Sequence, residues 1–539
     1  IRARLGITYG NNDAEVFYSP EDTRFEDTEV LKKGEYTSTN TRLNQTEGEL
    51  SVTWAKILGG HRINLVAGGN FNASKSLVQG YSVQGFPNGD FTYPSFSNGY
   101  PEHGVPTFYE SVSRSLNGYF NVGYSFDDRY LMDFSLRSSG SSVFGSSKKY
   151  NTTWSVGLGW NLHKEKFIQS NFSWINLLKL RASIGNPGNQ NFNDYISTRV
   201  YSYNTNNMNI FGSSAIVSNL GNRGLEWQKT LDRNIGFDLV IVDNRLRVNF
   251  DYFNKKTDPL LVHIGTPSST GATTIPRNVG KQITQGVNVT LNYSIIRRDD
   301  MFWSVNMNLR HQTSEYKEVS EVLTKYNLDN RNRNLTRYYD GGSPSDLWAV
   351  RSCGIDPATG REIFLDKNGE QTFVHNYDDE VVVGNSDPKV EGVIGTSFYY
   401  KGFSASINLR YRLGGQIFMQ TLYDKVENLS SSKKWENLDK RALYDRWKQP
   451  GDQAKFKSIA SSEVTPISSR FVEDNNVLSG ESISLGYEST APWLKHIGAS
   501  SMSVRAYMND IFRISTVKNE RGIDYPFARS VSMSLGLRF

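Results

Sequence analysis

Thiols are almost absent from this chain. Its 539 residues include one cysteine, Cys353, so no internal disulfide framework can staple the fold. Long hydrophobic runs are missing as well. No stretch of about 18 apolar residues occurs, which excludes a transmembrane helix, and mean hydropathy is −0.52. Charge of one sign is not in excess. Sixty Lys+Arg against 55 Asp+Glu leave a net +5. The charges are spread along the chain, so a nucleic-acid partner is not indicated. Catalytic signatures are also lacking. The seven histidines are scattered, and neither H-E-x-x-H nor G-x-S-x-G occurs. Gly140–Ser147 has the spacing of a phosphate loop without its lysine. No enzyme, no catalytic residue and no metal site are therefore expected. The only hint of a cofactor is a structural calcium at Asp366-Lys367-Asn368-Gly369-Glu370. That segment lacks the distal Glu ligand and reads as a plain turn.

What is abundant is aromatic: 29 Tyr, 29 Phe and 10 Trp, with 46 Gly. The aromatics fall into period-two segments. In Ser530–Phe539 every odd position is apolar and every even one is small or polar. Successive strand residues point to opposite faces, so this segment has one apolar and one wet face. Tyr130, Met132, Phe134 and Leu136 alternate with Asp133, Ser135 and Arg137. Trp154, Val156, Leu158 and Trp160 alternate with Ser155, Gly157 and Gly159. Trp303, Val305, Met307 and Leu309 alternate with Ser304, Asn306 and Asn308. About sixteen such strands can be counted, as in a large barrel.

The connections alternate in length. Short ones lie at Gly59-Gly60, Asp127-Asp128, Asp243-Asn244, Arg297–Asp300 and Lys401-Gly402. Their Asp, Asn and Gly suit tight hairpins. Leu162–Asn176 and Ala491–Ala499 are somewhat longer. Long polar connections lie between them, at about 10–47, 71–113, 185–225, 255–281, 312–391, 413–480 and 511–529. Strict alternation of short turns and long loops is the habit of outer-membrane barrels. Tandem β-sandwiches would instead give similar connections at both ends and a repeat every ~100 residues. The expected fold is all-β, a transmembrane antiparallel β-barrel occupying residues 1–539. Trp154, Trp160 and Phe539 are assigned to the aromatic girdles at the membrane interfaces. Ile1–Tyr9 already reads as a strand where an exported protein would begin with a cleavable apolar segment. A mature or partial chain is therefore expected.

Two aromatic clusters fall in loops. Phe86, Phe91, Tyr93, Phe96 and Tyr100 stand among Gly, Asn and Pro. Tyr201, Tyr203 and Asn206 form the second. Rings stack on sugar faces and amides bond hydroxyls or peptide groups, so these are the candidate ligand-binding residues. The alternative is that the rings pack on each other to order the loops.

Several blocks resemble the SusC/RagA family of TonB-dependent outer-membrane transporters of Bacteroidota. One runs Gly224-Leu225-Glu226-Trp227-Gln228-Lys229-Thr230, then Asn234-Ile235-Gly236-Phe237-Asp238, Asn244-Arg245-Leu246 and Asp251-Tyr252-Phe253-Asn254-Lys255-Lys256-Thr257-Asp258. Others are Arg129-Tyr130-Leu131 with Phe144-Gly145, Leu180–Gln190, Gly354–Gly360, Asp387-Pro388-Lys389, Arg446-Trp447 and Ile483–Tyr487. They follow family order from about residue 115 to the end. Met508-Asn509-Asp510-Ile511-Phe512 and Pro187 depart from the family pattern. The resemblance implies a 22-stranded barrel filled by a plug domain, of which this chain would hold the C-terminal ~16 strands without the plug. It further implies a SusD-like surface lipoprotein partner and energy from TonB-ExbB-ExbD through the plug. The function implied is import of oligosaccharides, or else oligopeptides, across the cell outer membrane, with lipid against the barrel. A passive porin and a secreted structural or adhesive β-protein are the alternatives.

Overall fold

The computed structural model describes every residue except 143–148, 189–195, 273, 320, 333–334, 430–437 and 519–527; the side chains of 203–209, 213, 268 and 322 also lie outside it. Sixteen long strands alternate with turns and loops. They are β1 (Arg2–Tyr18), β2 (Glu35–Leu58), β3 (His61–Gln84), β4 (Thr107–Phe126), β5 (Tyr130–Ser141), β6 (Tyr150–Asn161), β7 (Ile175–Asn186) and β8 (Thr230–Ile241). The series continues with β9 (Leu246–Thr257), β10 (Lys281–Arg297), β11 (Met301–Lys317), β12 (Val390–Tyr400), β13 (Phe403–Phe418), β14 (Val472–Ser489), β15 (Ser501–Ser515) and β16 (Val531–Arg538). Two compact units form, one of Ile1–Leu158, Ile184–Leu231 and Asp258–Val279, the other of the remaining residues.

In the first unit β1 to β6 pair in chain order. The register turns the period-two pattern into rows. Val52, Ala67, Phe120 and Leu136 lie side by side across β2 to β5, next to a row of Trp54, Leu65, Val122 and Phe134. On the opposite face Glu49, Asn70, Asn117 and Ser139 are neighbours. A slip of one residue would exchange these faces. Tight turns fix the register: Gly59 takes φ +58, and Asp127 and Asp128 take φ +51 and +52, the left-handed conformations that two- and three-residue hairpins need.

The second unit repeats the arrangement with β7 to β16. Trp303, Phe398, Ala405, Leu485, Ala506 and Met533 form one continuous apolar row. One residue along, Ser304, Ser397, Ser406, Ser484, Tyr507 and Ser532 form a hydroxyl row on the other face. The apolar rows are open to the surroundings, with Val52, Trp54, Leu485 and Met533 all exposed. Strands with a bare apolar face need a second apolar medium to cover it.

The strands run further than the expected loops allowed. β2 and β3 have 24 residues each, at ~3.3 Å per residue far longer than a bilayer core of ~30 Å. Their apolar rows occupy only the Gly48–Leu58 end of β2. The polar remainder stays extended because each strand supplies its neighbour's backbone hydrogen bonds. The seven outer connections accordingly shrink to 19–34, 85–106, 187–229, 258–280, 318–389, 419–471 and 516–530. An eighth, 142–149, joins β5 to β6. Most of it, including Phe144 and Gly145 and the phosphate-loop-like segment, lies outside the described residues.

Buried cores lie in these connections and at their bases. Tyr36 and Val83, at the outer ends of β2 and β3, form one with Phe86, and Ile196, Leu225 and Trp227 form another. In the second unit Met419, Leu422, Val426, Phe456, Phe471 and Val517 form a third. There the 318–389 connection carries a helix, Glu321–Asp329, and a four-stranded sheet ordered Gln371–Thr372, Glu362–Leu365, Asp346–Ile355, Glu380–Asn385. The described parts of the 187–229, 318–389 and 419–471 connections thus carry cores and regular elements of their own.

Candidate ligand-binding site

The wet face of the strands is a hydrogen-bonded surface. Asn117 Nδ2 donates to Asn70 Oδ1 at 2.7 Å, Tyr119 OH to Glu49 Oε1 at 2.9 Å, and Ser135 Oγ to Asn121 Oδ1 at 2.6 Å. In the second unit Arg181 Nη2 meets Asp238 at 2.9 Å and Asp251 at 3.0 Å. Arg410 meets Glu481 at 3.0 Å. These groups keep their charges half-exposed, where a desolvation cost is small. Such a face tolerates water and passing polar solutes.

The loop aromatics divide. Phe86 is buried and meets Phe17 edge-on at 5.1 Å, beside Tyr36 and Val83. It packs the base of the loop among these side chains. Phe91 and Phe96 meet each other at 4.8 Å, half-spent on their own contact. Tyr93 and Tyr100 are exposed. Trp154, Trp160 and Phe539 are exposed as well, and Trp160 Nε1 donates to Glu165 Oε1 at 3.1 Å. At the calcium candidate, Asp366 Oδ1 accepts the backbone N–H groups of Asn368 and Glu370, both at 2.8 Å. With Gly369 at φ +83, its carboxylate closes the hairpin turn between Glu362–Leu365 and Gln371–Thr372.

Tyr201 stands on a hairpin, Val200–Asn209 with Gly212–Asn219. The side chains of Tyr203 and Asn206 lie outside the described residues. Tyr201 opens on a cavity of about 880 Å³. Its walls include Lys149, Arg199 and Arg223, the hydroxyls of Ser142, Ser197 and Thr198, and Leu220 and Gly221. Among the described residues no carboxylate lines it. The wall is held by local chemistry. Asn219 Nδ2 donates to Thr198 O at 3.2 Å, while its Oδ1 accepts the Gly221 N–H at 3.1 Å. Gly221 has φ +63, and a Cβ there would sit 2.4 Å from the Thr198 carbonyl carbon. Only glycine permits this approach. Arg223 is framed by Asn222, which accepts the Gly224 N–H at 3.0 Å and donates to Pro276 O at 2.9 Å. The cations escaped the sequence reading because they lie up to 74 positions apart and fit no motif; the Asn-x-Gly turn at Asn219–Gly221 was the one local signal.

A second polar cluster sits in the second unit, inside the outer loops. Arg470 lies between Glu362 and Glu427, with Nη2–Oε contacts of 3.0 and 2.7 Å. Burial acts against its charge, but the two carboxylates outweigh burial and raise its pKa. His375 closes one side, with Nε2 3.3 Å from Ile467 O and its ring edge-on to Phe364 at 5.1 Å. Burial depresses its pKa, against the pull of that carbonyl and of Glu362, Glu380 and Asp379. Among the described residues no group of three or more His, Cys, Asp or Glu could hold a metal ion.

Comparison with known proteins follows the same lines. A family model described as "TonB dependent receptor-like, beta-barrel" matches residues 1–429. The TonB-dependent receptor P39 of Formosa agariphila is 25% identical over 88% of this chain and 52% of its own length. The TonB-dependent receptor SusC of Bacteroides thetaiotaomicron is 24% identical over 79% of this chain and 44% of its own. The chain spans about half the length of these curated relatives. Among solved structures, the RagAB peptide transporter superposes with a TM-score of 0.82 at 20% identity, over 96% of this chain and 56% of that one. A bare apolar face, a hydrogen-bonded wet face, alternating short and long connections and these matches agree: the chain belongs to the TonB-dependent receptor β-barrel family.

Proposed function

We propose that this chain is the barrel-forming part of an outer-membrane importer that takes up oligosaccharides into the periplasm. The observation that carries the reading is the partition of paired strands into an apolar row, as in the rows from Val52 to Leu136 and from Trp303 to Met533, and a hydroxyl- or amide-bearing row on the opposite face. The apolar rows would meet membrane lipid and the wet rows would line the path. Energy would come from TonB-ExbB-ExbD through a plug domain encoded with the barrel. The folded outer connections, above all 318–389 and 419–471, would dock a SusD-like surface lipoprotein that closes over captured cargo. No covalent chemistry is assigned to any residue; selection would occur by binding, and passage by displacement of the plug. Oligopeptide cargo is the second reading, since amides and hydroxyls bond peptide groups equally well.

The test uses the full-length gene product in cells with and without TonB. Uptake of a labelled oligosaccharide should vanish when TonB is deleted, and an affinity tag should recover a surface lipoprotein. Uptake that persists without TonB would favour a passive porin. Recovery of the protein from the medium rather than the outer membrane would favour a secreted β-protein.

A further inference from the structure

The cavity beneath Tyr201 is concave, roomy and cationic. Its volume of about 880 Å³ falls in the ~300–1,000 Å³ range of small-molecule sites. Lys149, Arg199 and Arg223 bring three positive charges to its lining, with no carboxylate among the described lining residues. Among the described residues none of the three side chains is engaged in an ion pair. A concave site lined by one sign of charge focuses its field and concentrates counter-charged ligands. Guanidinium forks match the planar or tetrahedral oxygens of carboxylate and sulfate bidentately. The Thr198 and Ser142 hydroxyls can bond neutral sugar hydroxyls. The exposed Tyr201 ring offers a flat apolar face. Arg199 and Arg223 sit on a framework set by the Asn219 turn, the Gly221 contact and the Asn222 bonds, so their backbone does not have to be assembled when ligand arrives.

We infer that this cavity binds an anionic oligosaccharide, a glycan bearing sulfate or carboxylate groups. The cations would hold the acid groups and Tyr201 the sugar ring. As a statement about cargo this rests on the importer reading; as a statement about binding it stands on the cavity.

The test has two arms. In the first, the purified full-length protein is titrated calorimetrically with a sulfated tetrasaccharide, its desulfated twin, a uronate-containing tetrasaccharide and an acidic tetrapeptide. The sulfated or uronate glycan should bind at least tenfold more tightly than the neutral one, and the preference should shrink as salt shortens the ~10 Å screening length. Replacing Arg199→Gln or Arg223→Gln should cost roughly tenfold each for the anionic glycan and leave the neutral glycan unchanged. Arg199→Lys with Arg223→Lys should retain part of the preference. Equal affinity for charged and neutral glycans, unchanged binding by both Gln variants, or selective binding of the acidic peptide would overturn the inference. In the second arm, TonB-dependent uptake is measured for the same four probes. Uptake of the neutral glycan with no charge preference would refute the inference and leave the importer standing. Absence of uptake for all four would refute the importer reading, while the calorimetry still judges the cavity.

Discussion

Replacing Arg470→Met should unfasten the outer loops of the second unit while leaving its strands paired. The Arg470 side chain is 10% exposed, Glu362 6% and Glu427 0%. Arg470 Nη1 also donates to Lys455 O at 2.6 Å, and the guanidinium lies 4.5 Å over the Phe471 ring. Methionine conserves the packing on Phe471 but removes the ion-pair partner of both buried carboxylates, leaving Glu427 only the more distant charges of Lys457 and Arg446. Removing one partner of a buried pair costs ~3–5 kcal/mol, chiefly through the charge left behind. Hydrogen exchange reads the loss. The Met419 N–H bonds to Phe471 O at 2.7 Å and the Ser352 N–H to Ser469 Oγ at 2.9 Å. Both amides report on the segment Arg470 anchors, and at ~1.4 kcal/mol per decade their protection should fall about 100- to 3,000-fold. Adding Glu362→Gln and Glu427→Gln to Arg470→Met should restore most of it, because the stranded charges are then gone. Unchanged protection of Met419 and Ser352 in Arg470→Met, or no recovery in the triple variant, would refute the reasoning.

Three further outcomes follow from the same structure. His375 has a folded pKa held below its usual value, so the unfolded loop binds the extra proton first; its stabilising contribution is complete above about pH 6.5 and is lost as pH falls from there through the depressed folded value. Exchange protection around Phe364 and Ile467 should therefore weaken as pH falls below about 6.5, and His375→Phe should abolish that dependence. Gly221→Val forces a β-branched residue into φ +63 with its Cβ 2.4 Å from the Thr198 carbonyl carbon; it should cost at least ~1–2 kcal/mol locally, read as faster exchange at Leu225 and lost binding in the cavity. Deleting Val531–Phe539 removes β16, paired with β15 from Met508↔Val531 to Ser501↔Arg538; the truncated full-length protein should fail to accumulate in outer membranes, measured by immunoblot of fractionated cells.

The strands were legible because two signals coincide in them. Alternation assigns the faces and Gly, Asn or Asp marks the tight turns, as at Gly59-Gly60 and Lys401-Gly402. Their outer ends were not legible. Thr37–Gln45 carries no apolar face, and what keeps it extended is its partner Ser74–Ser82, whose registration a local reading cannot supply. The small sheet around Asp346–Ile355 was hidden for a related reason: its strands are short, of two to ten residues, and buried by contacts such as Val350 with Ser468. Among the candidate ligand residues, Tyr201 faces a cavity, whereas Phe86 is buried with Tyr36 and Val83 from neighbouring strands. Exposed and buried aromatics look alike in sequence. The cations of the cavity meet only when Lys149, just before β6, is brought beside the segment that carries Arg199 and Arg223.

The central claim is that one face of these strands meets lipid and the other water. It is tested most directly by placing a charge on each. Leu535→Arg or Val156→Arg, each on an apolar row, should lower outer-membrane assembly in the full-length protein, since an arginine at mid-depth costs ~2–4 kcal/mol on the lipid side. Ser534→Arg lies on the wet face beside Arg505 and should assemble at close to the native level. Folded yield is read for all three by heat-modifiable mobility of membrane fractions. Loss confined to Leu535→Arg and Val156→Arg is the predicted result; equal yields for the two faces, or loss confined to Ser534→Arg, would contradict the account.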